Sequence, residues 1–352
     1  MMSTYLTKKV GACHLQQRYK WRENVMLQEH SRYYFKLLKV SEKKIYETIY
    51  DTWYLLKKNV DLKESEVLGC DIQKIMEYLF LDNPELFYIN KEHIQIFRFI
   101  FGSRITCEFY WNVAEIQFKR KEIETEAKKI VKRHNKVSKQ EEFKVIHDSL
   151  VNTIKYNWDE IADLNNYGIY GCICKRKAVC EGIAKGYKFL CDREKLSSIV
   201  VPGTIKNGNR VIENHAWNII NYDGKRRHVD VTWDVSIKES GYTQLFFGLN
   251  DKEMVYDHQW DEKIIPSCEG KESKFRFVTS SKSLEVEIVS ALRHGMKQIF
   301  LRFNRKFSSE TDILHFVEKS ITKNGLWPLN GGQISVNYMR TSDCAIVFFK
   351  HF

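Results

Sequence analysis

Proline is scarce in this chain, with four in 352 residues, and nowhere does an apolar run approach the roughly 20 residues that a membrane-spanning helix needs. The basic N-terminus, MMSTYLTKKVGACHLQQRYKWREN, lacks the apolar stretch of an export signal. The nine cysteines are odd in number and scattered through a long chain, which does not suit a disulfide framework. Reduced thiols and a cytoplasmic setting are therefore expected. There is no calcium-loop pattern of the D-x-[DN]-x-[DN]-G kind and no paired C-x2-C spacing for zinc. No metal or other cofactor is expected.

Basic charge and aromatic side chains are abundant. The 8 Trp, 18 Tyr and 21 Phe argue for a packed core and against disorder. The net charge of +11 raises the question of nucleic acid. Its densest run, KRKEIETEAKKIVKRHNK at 119–136, interleaves glutamates with lysines, and Ile123, Ala127, Ile130 and Val131 form a helical stripe. That pattern is a solvated helix face, and no nucleic-acid motif accompanies it, so no nucleic-acid partner is expected.

The periodicities divide the chain into four parts: a basic arm at 1–40, a helical and hairpin segment at 41–118, a central core at 119–268, and an α+β segment at 269–352. In the second part, Ile45, Ile49, Trp53 and Leu56 predict a helix capped by Ser41, and DIQKIMEYLF predicts another. A hairpin is expected about Gly102-Ser103. The last part reads helix, strand, helix, then a strand pair, QISVNYM and CAIVFFK.

Chemistry concentrates in the central part. In KAVCEGIAKGYKFLCD, Ile183, Tyr187 and Leu190 fall at helical spacing, which places Cys180 at the helix start. Free backbone N–H groups and the positive end of the helix dipole favour a thiolate there. Downstream, Asp223-Gly224 is a two-residue turn signal between HAWNIINY and KRRHVDVTWD. Pairing Tyr222 with Lys225 and continuing the register sets His215 opposite Thr232 and Trp217 opposite Asp230. His215 and Asp230 then share a face as diagonal neighbours, about 7–8 Å apart at the backbone. His228 has the same parity but sits near the turn beside Arg226 and Arg227, so His215 is preferred as the base. Asp234 is read as structural.

AVCEGIAKGYKFL followed by NHAWNIINYDGKRRHVDVTWD resembles the core of the transglutaminase-like cysteine enzyme superfamily, in its bacterial branch. LDNPELFYI, KVIHDSLVNTIKYN and YTQLFFGLNDKEMVYDHQW extend the resemblance over about residues 75–265. It implies a papain-like α+β fold, with a nucleophile helix packed on an antiparallel sheet. It also implies a triad of Cys180 as nucleophile, His215 as base and acid, and Asp230 as the orienter of His215. The activity implied is acyl transfer through a thioester, with hydrolysis of a peptide or amide bond preferred. Amide crosslinking to an amine and a non-catalytic peptide-binding module are the alternatives. Trp217, Tyr170 and Tyr156 are candidates to line a cleft for a protein or peptide substrate. Zinc on Cys172, Cys174, Cys180 and Cys191 is disfavoured, because a metal-locked nucleophile would be inert; a disulfide from Cys180 to Cys172 or Cys174 under oxidation is left open.

Overall fold

The helical spacing of Ile45, Ile49 and Trp53 is realised in α1, Val40–Tyr54, all three side chains being buried. The helix starts one residue before the expected cap: Ser41 lies inside it, and the Glu42 carboxylate accepts the Lys39 N–H at 2.9 Å. The computed structural model describes residues 32–132, 137–160, 163–207, 210–240, 242–270, 273–303, 309–328, 331–339 and 343–352. Most of the expected N-terminal arm and the end of the 119–136 run lie outside the described residues. Of the arm residues that are described, Arg32, Tyr34 and Leu38 are buried, and Tyr34 donates its hydroxyl to the Val200 carbonyl at 2.6 Å.

β1 (Asn59–Lys63) precedes α2 (Ile72–Asp82), which Asp71 caps through the Lys74 N–H. β2 (Ile89–Phe99) and β3 (Gly102–Phe109) form the expected hairpin. Its turn falls at Ile100-Phe101, since Phe99 pairs with Gly102, so Gly102 opens the second strand. These strands make a three-stranded sheet in the order β1-β3-β2.

α3 (Val113–Lys132) and α4 (Lys139–Thr153) follow. The two-residue strands β4 (Lys155–Tyr156) and β5 (Lys177–Ala178) pair in parallel. α5 then runs from Cys180 to Arg193. A five-stranded sheet comes next, in the order β10-β6-β7-β8-β9, from β6 (Ser198–Asn207), β7 (Arg210–Tyr222), β8 (Lys225–Val229), β9 (Phe247–Leu249) and β10 (His258–Trp260). The Asp223-Gly224 turn forms with positive φ at both residues, as a tight hairpin turn requires. Pairing starts at Tyr222–Lys225 as read, but it ends at Asn218–Val229. Thr232 and Trp233 are helical, in α6 (Val231–Ile237), so the expected His215–Thr232 and Trp217–Asp230 pairs do not form. Asp230 accepts the Trp233 N–H at 3.1 Å, and that cap overrides the strand preference of Val231 and Thr232.

Beyond the core, β11 (Arg276–Val278), α7 (Ser281–Arg293), β12 (Gln298–Phe303), α8 (Glu310–Lys323), β13 (Gln333–Met339) and β14 (Cys344–Lys350) form a four-stranded sheet with two helices. β11, which pairs in parallel with β12, was not expected. The architecture is α+β throughout. Among the described residues no helix is long and apolar enough to cross a membrane.

α5 is buried on nearly every side. Ile183, Tyr187 and Leu190 pack with Phe143, Ile146 and Leu150 of α4, while Ala184 meets Val200 and Ala216 of the sheet. Close approach depends on Gly182, where a Cβ would run into the Asn166 carbonyl oxygen, a backbone atom with no room to retreat. Gly182→Ala is expected to lose about 1–3 kcal/mol net of its helix-propensity gain, read as a lower urea midpoint. Unchanged stability would show that the 164–167 loop yields freely.

Candidate active site

β5 delivers the chain to Cys180. Val179 is extended, and the helix begins at the next residue, so the Cys180 thiol sits on the first turn of a 14-residue helix. The thiol is half-buried and can therefore be reached. The β4–β5 pairing sets Tyr156 beside Ala178, and Cys180 is the neighbouring residue that acts most on its hydroxyl.

His215 lies on β7 opposite Gly203 of β6. β8 has already ended at this level, and the space it vacates is filled by the turn into α6. The end of the strand is what brings Asp230 close: its Oδ2 lies 2.7 Å from His215 Nε2, and its backbone N–H is held by the Phe246 carbonyl at 2.9 Å. With Nε2 directed to Asp230, Nδ1 is the ring nitrogen left for another partner, and the Cys180 side chain is among the groups that act on His215. Burial alone would lower the His215 pKa, but the Asp230 carboxylate, helped by the Cys180 contact, pushes it up to about 10. Burial likewise acts to raise Asp230, and the charge and hydrogen bonds of His215, then of His258, hold it well below the usual carboxylate range.

Of the three cleft candidates, only Tyr156 is placed against Cys180. Trp217 is 1% exposed, with its ring stacked beneath His215 at 5.9 Å and its indole N–H given to His228, so it has no face for a substrate. Tyr170 is also buried, donates to Glu122 at 2.7 Å and has Lys119 over its ring. His228 does not sit at an exposed hairpin end: it is fully buried under Trp260 and bonded to Asp251 at 2.8 Å. Asp234 is buried and bound to His147 Nε2 at 2.9 Å and to the Phe246 N–H. Cys172 lies against Gly186 and Cys174 near Glu122 and Glu126, and all eight described cysteines are unbridged.

Sequence reasoning missed a second histidine on Asp230. His258, fully buried on β10, has Nε2 at 3.0 Å from Asp230 Oδ2 and Nδ1 at 2.5 Å from Asp257. The Asp-His pair in YDHQW was its one local signal. His215, Asp230 and His258 are also close enough to share a metal ion, as are His228, Asp251 and Cys268. In the first set, the ligand atoms already hydrogen-bond one another. In the second, His228 Nδ1 accepts the Trp217 N–H, so a metal on Nε2 would need an imidazolate. As they stand, both sets are engaged in hydrogen bonds.

A pocket of about 390 Å³ opens beside the first turn of α5, walled by Met76, Phe80, Leu81 and Ile94. Glu181 there accepts Lys91 at 2.7 Å and Lys185 at 2.5 Å. Burial lowers Lys185 to about 8, against the raising effect of Glu181. The pocket thus combines an apolar wall with two cations, Lys91 and Lys185, and two carboxylates, Glu77 and Glu181.

No family model matches the chain, and no curated protein matches it. Among solved structures it is similar to a proposed cysteine protease from Cytophaga hutchinsonii, at 15% identity and a TM-score of 0.26 over 40% of this chain. A TGase gives 13% and 0.31 over 55%, and a proposed protease from Parabacteroides distasonis gives 9% and 0.29 over 75%. The chain covers 61%, 53% and 56% of those three chains, respectively. Likenesses this distant support no conclusion about activity.

Proposed function

We propose that the protein is a cysteine-dependent acyl-transfer enzyme that hydrolyses a peptide or amide bond. The observation that supports this reading is the 2.7 Å His215–Asp230 pair, with the side chain of Cys180, at the start of a buried helix, acting on His215. An imidazole held on one side by a carboxylate can take a thiol proton on the other, giving a thiolate–imidazolium pair. The thiolate adds to the substrate carbonyl, and the free N–H groups of the first turn of α5 serve the oxyanion. Collapse breaks the C–N bond as His215 gives its proton to the leaving amine, leaving a thioester on Cys180. Water then attacks, His215 takes its proton, and the acid departs as the thiolate and imidazolium re-form.

Iodoacetamide labelling at neutral pH tests the premise. Burial pushes Cys107, Cys172 and Cys174 up to about 12 and raises Cys191 and Cys268 further, so these thiols stay un-ionised. Cys180 is expected to label at least about tenfold faster than an unpaired peptide thiol. Reactivity at or below that of the peptide thiol would leave a non-catalytic module. A peptide mixture with and without a primary amine, followed by mass spectrometry, then separates cleavage from crosslinking.

A further inference from the structure

The contacts of His258 continue away from the triad, into the C-terminal segment. Asp257 uses Oδ1 on His258 Nδ1 and Oδ2, at 2.7 Å, on Arg302 Nη2. Arg302 belongs to β12, is fully buried, and lies against the face of Phe275, its guanidinium 4.4 Å from the ring centre. Its Nη1 donates to the Glu253 carbonyl and its Nε to Cys344 Sγ at 3.2 Å. A buried guanidinium is tolerated only when its charge is matched, and here the matching carboxylate also serves a histidine of the site.

The two contacts of His258 bear on its form. Each of its ring nitrogens faces a carboxylate oxygen, and a neutral imidazole has one N–H to give. The second nitrogen would then set its lone pair against an anionic oxygen in a dry interior. Donation from both nitrogens requires the imidazolium. The buried row then alternates in sign: Arg302 positive, Asp257 negative, His258 positive, Asp230 negative, His215 positive.

We propose that Arg302, Asp257 and His258 form a charge-balancing arm through which the C-terminal sheet keeps His258 doubly protonated and Asp230 aimed at His215. The proposal rests on the acyl-transfer reading for its catalytic consequence. All three are positioning residues, since none touches the thiol. The groups facing His258 are Asp230 at the start of α6, Asp257 in the turn just before β10 and, one step further, His215 on β7, His228 on β8, Arg302 on β12 and Glu253 beside Arg302. Trp217 and Trp233 close the remaining sides at 5.0 and 4.6 Å between ring centres.

The test uses the full chain, with iodoacetamide as the probe of Cys180 and labelling followed against pH. His258→Gln keeps a donor toward Asp230 but removes a positive charge near the thiol, so forming the thiolate becomes harder. Its acid limb is expected about one pH unit above that of wild type, with labelling about tenfold slower on that limb and unfolding still cooperative. A cooperatively folded His258→Gln whose profile superimposes on wild type overturns the proposal. Arg302→Lys is expected to keep the wild-type profile and Arg302→Met to move it the same way as His258→Gln; identical profiles for the two overturn the link to the C-terminal sheet. Wild-type protein provides an arm that needs no variant. In ¹⁵N-histidine spectra at neutral pH both His258 ring nitrogens are expected to carry protons, and one bare nitrogen overturns the proposal. If wild-type Cys180 labels no faster than a peptide thiol, the acyl-transfer reading falls while the spectra still decide the arm.

Discussion

On the acyl-transfer reading proposed above, replacing Cys180 with alanine is expected to abolish turnover of any peptide or amide substrate, a loss in kcat of at least about 10⁴-fold. The size follows from the division of labour in the site. His215 and Asp230 supply proton traffic but no atom that can form the acyl bond, so without the thiol only binding and polarisation of the carbonyl are left. The fold should barely register the change. Cys180 is half-buried at the outer end of α5, and the apolar contacts of that helix come from Ile183, Ala184, Tyr187 and Leu190. Thermal unfolding within about 1 kcal/mol of wild type, together with lost turnover, separates chemistry from misfolding. Residual kcat within about tenfold of wild type would show that Cys180 is not the nucleophile. Asp230 gives a less clean test, because it also caps α6 and meets His258, so its removal disturbs the fold and the site together.

What could be read in advance follows the range of the interactions. The Asp223-Gly224 turn is a two-residue signal with its own backbone physics, and the pairing it sets holds from Tyr222–Lys225 to Asn218–Val229. The start of α5 was equally legible, because the spacing of Ile183, Tyr187 and Leu190 is local. The error came where two local preferences compete. Val231, Thr232 and Trp233 favour a strand, Asp230 favours a helix cap, and the Phe246 contact that holds Asp230 comes from 16 residues downstream. His258 and Arg302 are further from reach: nothing near either one in the chain marks it as buried, and their partners are brought together by three separate elements. His228 shows the converse. Its flanking arginines suggested an exposed end, whereas Trp260 and Asp251, remote in sequence, cover it.

Lys188→Met is expected to cost about 3–5 kcal/mol of stability near pH 8, and markedly less near pH 5.5. On an amphipathic helix this lysine would be assigned to solvent, yet it is fully buried, with its ammonium 3.0 Å from Asp192 and 3.0 Å from the Ser198 carbonyl. Methionine replaces most of the stem, so the loss comes mainly from the charge. Two carboxyl groups depend on it. Burial pushes Asp192 up to about 7 and Asp82 up to about 6, with Lys188 the leading influence that pulls each back down. Both folded-state values lie above the unfolded value of about 4, so the folded protein binds protons more readily than the unfolded chain. Ionising these groups therefore costs stability as pH rises through about 6 and then about 7, and Lys188 is what offsets that cost. Without it the carboxyls ionise less readily still, so the penalty is full only at the alkaline end and shrinks as they take up protons. Urea unfolding of wild type and variant at the two pH values measures this directly. An equal loss at both would assign the effect to packing of the side chain and would show that Lys188 carries no electrostatic role in holding α5.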